Sequence, residues 1–264
     1  ALKRLLEGNN RGQSMACSPA LDCSSKTQVF AASDHLSYTH VFAASDRWSH
    51  TSYAHVFMAA LRYAALAAAS GASALRGGAC PVASTKKWIV DVVVGMSLCP
   101  WAAGAVAHGL RVERCAVADA VPAAIRELAA VAAAERATVA LALEGDCDFA
   151  AYLAIADAVD GAIDDLGYRG VVQLATFHPA YEFGDAEDGA AGHWTNRSPF
   201  PVLHLLREDD VARALAGRDE PDADAAAEAV WRRNVAVVSE VGEAAMRARV
   251  AACAVPPPGD SVAR

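Results

Sequence analysis

The feature that most restricts what this chain can fold into is a regular alternation of segment types between residues 111 and 177. Three short apolar runs, at 111–117, 138–143 and 171–177, have the length and composition of buried strands. Two long segments with helical periodicity separate them. In the first, Asp119 is placed to cap a helix running to Arg136, with Ile125, Leu128 and Val131 turned inward. In the second, Asp146 or Asp148 caps a helix whose buried face carries Phe149, Leu153, Ala156, Ile163 and Leu166, and Gly167 stops it. The order is βαβαβ. Helical crossovers favour parallel strands joined with a right-handed turn. The sequence therefore predicts an α/β fold with a small, mainly parallel sheet, flanking helices and a long C-terminal helix over 222–252. A ferredoxin-like α+β arrangement is the alternative.

Before the first strand, Trp88, Val92 and Met96 share one helical face, and that helix should stop ahead of Pro100. Pro100 can open a second short helix ending near Gly109. After the third strand, Ser198 followed by Pro199 reads as another helix start, with a further turn from Asp209.

Residues 1–84 differ in kind from the rest of the chain. They are rich in Ser and Ala, and Val29-Phe30-Ala31-Ala32-Ser33-Asp34 recurs as Val41-Phe42-Ala43-Ala44-Ser45-Asp46, with a degraded copy at Val56-Phe57. Units this short cannot build a solenoid, so a disordered, partly duplicated leader is expected. Its four histidines, 35, 40, 50 and 55, are irregularly spaced, as incidental solvated residues would be. The expected organisation is thus a leader over 1–84, one α/β domain over 85–252 and a disordered tail over 253–264.

Charge is divided along the same line. The leader holds seven Lys/Arg against four Asp/Glu, whereas the remainder holds sixteen against twenty-seven. An acidic domain repels phosphate backbones, which argues against nucleic acid as a partner. Seven cysteines without a CxxC pair do not make a closed disulfide framework, and they point to a reducing, intracellular compartment. No uninterrupted apolar run is long enough for a membrane span, so a soluble protein without membrane association is expected. The net-basic leader also fits an organelle import signal, although Asp34 and Asp46 interrupt it.

In open parallel sheets ligands lie beyond the carboxyl ends of the strands, which directs attention to Asp119, Glu144, Asp146 and His178. Pro179 holds His178 extended as it leaves the third strand. His178 is then either an acid/base or ligand-orienting residue, or a histidine bonded to a neighbouring loop. A helix starting at Ser198 would present free N–H groups beside Arg197, an anion-binding geometry, with Asn196 and Arg207 as further contacts. On that helix His204 and Glu208 would stand one turn apart, to assist chemistry or simply to stabilise the helix. Cys99, before Pro100, is a reactive-thiol candidate if it caps the second helix, and otherwise a buried packing residue. Cys115 and Cys147 read as packing residues. Arg233 and Asn234 on the C-terminal helix could reach back to the site or cap the sheet's edge.

Several of these segments, taken together, resemble the family called domain of unknown function 1415. They are Val94-Gly95-Met96-Ser97-Leu98-Cys99-Pro100-Trp101-Ala102, Phe177-His178-Pro179-Ala180-Tyr181-Glu182-Phe183, Asn196 through Glu208, and Arg233-Asn234-Val235. Trp101 stands where the family more often has Phe, Phe200 where it often has Tyr, and the tract from Gly184 to Trp194 is unusually rich in Gly and Ala. The resemblance marks a functional surface and implies no established activity.

Four readings of function are open at this point. The first is an enzyme acting on an anionic metabolite, with Arg197 and the Ser198 helix start holding the anion, His178 moving a proton, and His204 and Glu208 assisting. The second is a non-catalytic module that binds an anion at the same place. The third is a metal site built from His178, His204 and Glu182 or Glu208, although no spacing specifies a metal set. The fourth is a thiol enzyme built on Cys99. No cofactor is assigned.

Overall fold

The computed structural model describes residues 78–134, 138–184, 189–216 and 223–257. The repeat, the leader histidines, Cys17, Cys23 and the last seven residues of the expected tail lie outside the described residues.

Helix α1, Pro81–Trp88, opens with proline in its first turn and passes directly into a π-helical segment, Ile89–Val94. Helix α2, Ala102–His108, leads into strand β1, Leu110–Ala116. A 3₁₀ turn then gives way to α3, Ala120–Ala133, which is followed by β2, Thr138–Glu144, and α4, Phe149–Asp165. Strand β3 is Val172–Phe177, and a short helix α5, Gly189–His193, lies in the long connection to β4, Val202–Arg207. Helices α6, Glu208–Leu215, α7, Ala223–Val241, and α8, Glu243–Ala251, complete the domain. The α/β class and the βαβαβ core are as the sequence predicts. Asp148 is the cap of α4, its carboxylate accepting from the Ala151 N–H at 2.7 Å. Asp119 occupies the cap position of α3 without a side-chain capping bond.

Two expectations need correction. The segment after Ser198 is a strand and not a helix: β4 inserts between β2 and β3 and runs antiparallel to both, giving the order β1-β2-β4-β3. The β1–β2 ladder is parallel, so the sheet is mixed, and its order also differs from the ferredoxin-like alternative. The physical reason lies in Val202-Leu203-His204-Leu205-Leu206-Arg207, which is buried on both faces. A strand in that setting shows no alternation of apolar and polar residues and resembles a short helix. The long C-terminal helix is likewise two helices, because Gly242, at φ 80°, breaks it between α7 and α8.

The sheet has helices on both faces. On one face Val139, Leu141, Leu143, Leu203 and Leu205 pack against α3 and α4 through Leu128, Val131, Ile155 and Ile163. On the other, Val112, Ala140, Ala142 and Val202 meet Trp88, Val92, Val238, Met246 and Val250. The small Ala140 and Ala142 leave more room on this second face. Both ends of the domain meet here: the Cys80 N–H donates to the Val255 carbonyl at 2.7 Å, and the Val255 N–H to the Ser84 hydroxyl at 2.9 Å. The chain beyond Ala252 is thus tied into the fold through Val255, and Cys253 is buried. Among the described residues no helix is long and apolar enough to cross a membrane.

Tyr152 of α4 joins the two strands that the long connection separates. Its buried hydroxyl donates to the Val202 carbonyl at 2.7 Å and accepts from the Phe177 N–H at 2.9 Å, at the register pair that ends the β3–β4 ladder. Tyr152→Phe should cost about 1–3 kcal/mol, because it strands two buried backbone groups. A lowered urea midpoint with an unchanged slope is the measurement that checks it.

Candidate functional site

On the alanine-rich face, α1 with its π-helical extension, α2, α6 and α7 stand over β3 and β4 and enclose a cavity of about 250 Å³. Its floor is set by strand register. Ala140, His204 and Ala175 lie side by side across β2, β4 and β3, so the imidazole is flanked by two methyl groups and stands clear of them. The walls carry Trp88, Trp101, Trp231, Phe177 and Tyr181. No Asp, Glu, Lys or Arg among the described residues lines it.

The outer wall depends on backbone of unusual conformation. Gly95 closes the π-helical segment with an N–H to the Val90 carbonyl, five residues back, at 3.0 Å. A Cβ at Gly95 would collide with the Asp91 carbonyl oxygen, so only glycine fits. Ser97 comes next but one at φ 54°, in the left-handed region. Two side chains of α7 clamp this turn. Arg233 donates to the Ser97 carbonyl and Asn234 to the Leu98 carbonyl, each at 2.6 Å. Arg233 and Asn234 do reach back as the sequence suggests, to hold the wall of the cavity; Asn234 also lines it.

His204 is the polar centre of the floor. Its Nε2 lies 2.8 Å from the Thr138 hydroxyl, and that hydroxyl lies 2.7 Å from the Leu205 carbonyl. The carbonyl can only accept, so the single threonine proton goes to Leu205 and Nε2 must donate to threonine. The imidazole is therefore the neutral Nε2–H tautomer, and Nδ1, which makes no hydrogen bond among the described residues, keeps its lone pair. Burial pushes the His204 pKa down from 6.5 to about 4. Of the other polar lining groups, the Trp88 and Trp231 indole N–H groups are buried without a hydrogen-bond partner among the described residues, and several others are engaged within the protein. Thr176 bonds Tyr181 at 3.2 Å, Asn196 donates to the Thr176 carbonyl at 2.9 Å, and Thr195 donates to the Gly192 carbonyl at 2.8 Å.

Of the residues singled out in the sequence, Cys99, Asn196, His204 and Asn234 line the cavity. The remainder are placed elsewhere. His178 is buried with both ring nitrogens on backbone: Nε2 donates to the Cys147 carbonyl and Nδ1 accepts from the Ala180 N–H, both at 3.1 Å. It packs on Phe149 and Tyr152 and pins the exit of β3 to the loop before α4. Arg197 lies over the Trp194 ring at 4.7 Å, donates to the Tyr181 carbonyl at 3.1 Å, and its side chain is only 13% exposed. Ser198 opens no helix; its hydroxyl donates to the Phe200 carbonyl at 2.6 Å. The expected anion-binding helix start is therefore absent at Ser198.

Arg207 sits at the other end of β4, bonded to the Ala134 carbonyl and to Asp209. Glu208 begins α6, so it does not share a helical face with His204. Cys99 does not cap α2, whose cap position is Trp101. Burial pushes the Cys115 and Cys147 thiols up to about 11, aided by Asp119 and Asp148 respectively, which suits packing residues. Among the described residues no three His, Cys, Asp or Glu side chains are grouped to hold a metal ion. That overturns the metal set of His178, His204 and Glu182 or Glu208. Thr138, Gln173 and Trp231 are lining or supporting residues that sequence reasoning does not select. Only Thr138 leaves a usable signal, a hydroxyl at the start of an otherwise apolar buried strand.

Fold and site together define an α/β domain with an aromatic-walled cavity of small-molecule size. The chain belongs to the family described as Protein of unknown function (DUF1415), whose model matches residues 81–248. No curated protein and no solved structure matches it.

Two outcomes test these placements. His178→Ala should lower stability by about 2–4 kcal/mol, since it leaves a buried carbonyl and a backbone N–H unpaired and removes ring packing, as measured by urea denaturation. The depressed His204 pKa gives a pH dependence. Its contribution is full above about pH 6.5, and it falls as pH drops toward about 4, where the unfolded chain takes a proton that the folded one refuses. Unfolding free energies of the wild type from urea titrations should therefore fall more steeply over that window than those of His204→Phe, by a difference of at most about 3 kcal/mol.

Proposed function

We propose that this domain binds a small, largely apolar and uncharged molecule in the cavity over β3 and β4, as a small-molecule enzyme or as a binding module. One observation carries the reading. All four segments by which the chain resembles its family contribute to the lining: Leu98 to Ala102 from the first, Phe177 and Tyr181 from the second, Asn196 and His204 from the third, and Asn234 from the last. Segments from four parts of a chain that converge on a single hollow, through side chains of aromatic and aliphatic type, fit a ligand pocket better than a packing motif.

The chemistry of the lining argues for the ligand class. With no cation in the described walls, an anion would lose its hydration without gaining a partner. Arg197, the cation favoured for that role from sequence, is already engaged by Trp194 and the Tyr181 carbonyl. An apolar ligand therefore replaces the anionic metabolite, and the acidic balance of the domain keeps nucleic acid out of the reading.

A thermal-shift screen tests this. Uncharged aromatic compounds at about a hundred times their dissociation constant should stabilise the fold by about 2.7 kcal/mol, and phosphorylated metabolites should leave it unchanged. Ala175→Leu, which places a larger side chain beside His204 in the cavity floor, should remove the stabilisation. Hits confined to anions would overturn the reading.

A further inference from the structure

We propose that the ligand of this cavity is a planar molecule bearing an N–H or O–H donor, which it gives to Nδ1 of His204, and that Thr138 is the positioning residue that keeps Nδ1 free to receive it. The inference rests on the cavity reading above and adds the polar group by which the ligand is recognised.

His204 stands on an interior strand, between Ala140 and Ala175, so its ring cannot be displaced by the backbone movements open to a loop residue. Thr138, fully buried on β2, spends its one proton on the Leu205 carbonyl and so can only accept from the imidazole. The Nε2–H tautomer is imposed from beneath, leaving a lone pair at Nδ1 on a residue that lines the cavity. An accessible acceptor in a mostly apolar, half-buried pocket favours a ligand that supplies a donor over one that does not. Trp101 and Phe177 flank the imidazole, with ring centroids at 6.3 and 6.5 Å, and such walls suit a flat ligand.

Indole and benzofuran separate the two ideas, because they share a shape and differ in whether an N–H or an ether oxygen occupies the five-membered ring. With the 15N-labelled 264-residue chain, a long-range 1H–15N correlation spectrum should show His204 as the Nε2–H tautomer, and titration should show indole binding about tenfold more tightly than benzofuran. Thr138→Val should mix the tautomers and shrink that preference toward unity while benzofuran still binds, and Thr138→Ser should restore both. An Nδ1–H tautomer in the wild type, equal affinity for the two probes, or an undiminished preference in Thr138→Val would overturn the inference and leave the cavity reading intact. Binding of neither probe would overturn both. Should Thr138→Val fail to fold, the wild-type tautomer and the affinity ratio decide the matter alone.

Discussion

The structure depends on one short antiparallel insertion. Strand β4 lies between β2 and β3, and its residues from Val202 to Leu205 serve both neighbours. Leu203 and Leu205 face the helices α3 and α4, while Val202 and His204 face the opposite layer. Without β4 the crossover strands β2 and β3 have no partner in common, and the hydroxyl of Tyr152 has no Val202 carbonyl to hold. The same insertion places a histidine in the middle of a hydrophobic sheet, where few chains can tolerate one. It is tolerated because Thr138 satisfies one ring nitrogen and the ring is only half-buried beside the cavity.

Much of the architecture is legible in the sequence because local patterns are strong. The three crossover strands, the inward face of α3 and the Asp148 cap can be read from periodicity and capping chemistry, which act over a few residues; on α4 the expected face holds at Ala156 and Ile163, whereas Leu153 is half-buried and Tyr152, Ile155 and Val159 are buried in its place. The segment 202–207 defeats such reading for an equally local reason. Pro199 and Ser198 imitate a helix start, and a strand buried on both sides has no polar face to betray its period of two. Only the long-range pairing with β2 and β3 decides its state, and the partners on β2 are sixty or more residues away.

The site is legible in part, and with some roles exchanged. In sequence His178 and Arg197 look like reactive groups standing beside proline or serine, yet each is consumed by carbonyls and rings nearby. His204 looks like half of a helical pair and matters instead as the floor of a cavity. Trp231 and Gln173 give no signal, since their relevance comes from helices and strands brought together only by folding. Arg233 and Asn234 are open to two readings in the sequence, the site or the sheet's edge, and in the fold they hold the turn at Ser97 and Leu98.

The clasp between Cys80 and Val255 has an architectural consequence. Because the first turn of α1 and the segment after α8 are hydrogen-bonded to each other, the described chain enters and leaves the fold at one spot, on the sheet face that also carries the cavity. Such a domain behaves as a closed loop of chain. Closely spaced ends of this kind are the arrangement in which circular permutation and insertion into a surface turn are generally tolerated.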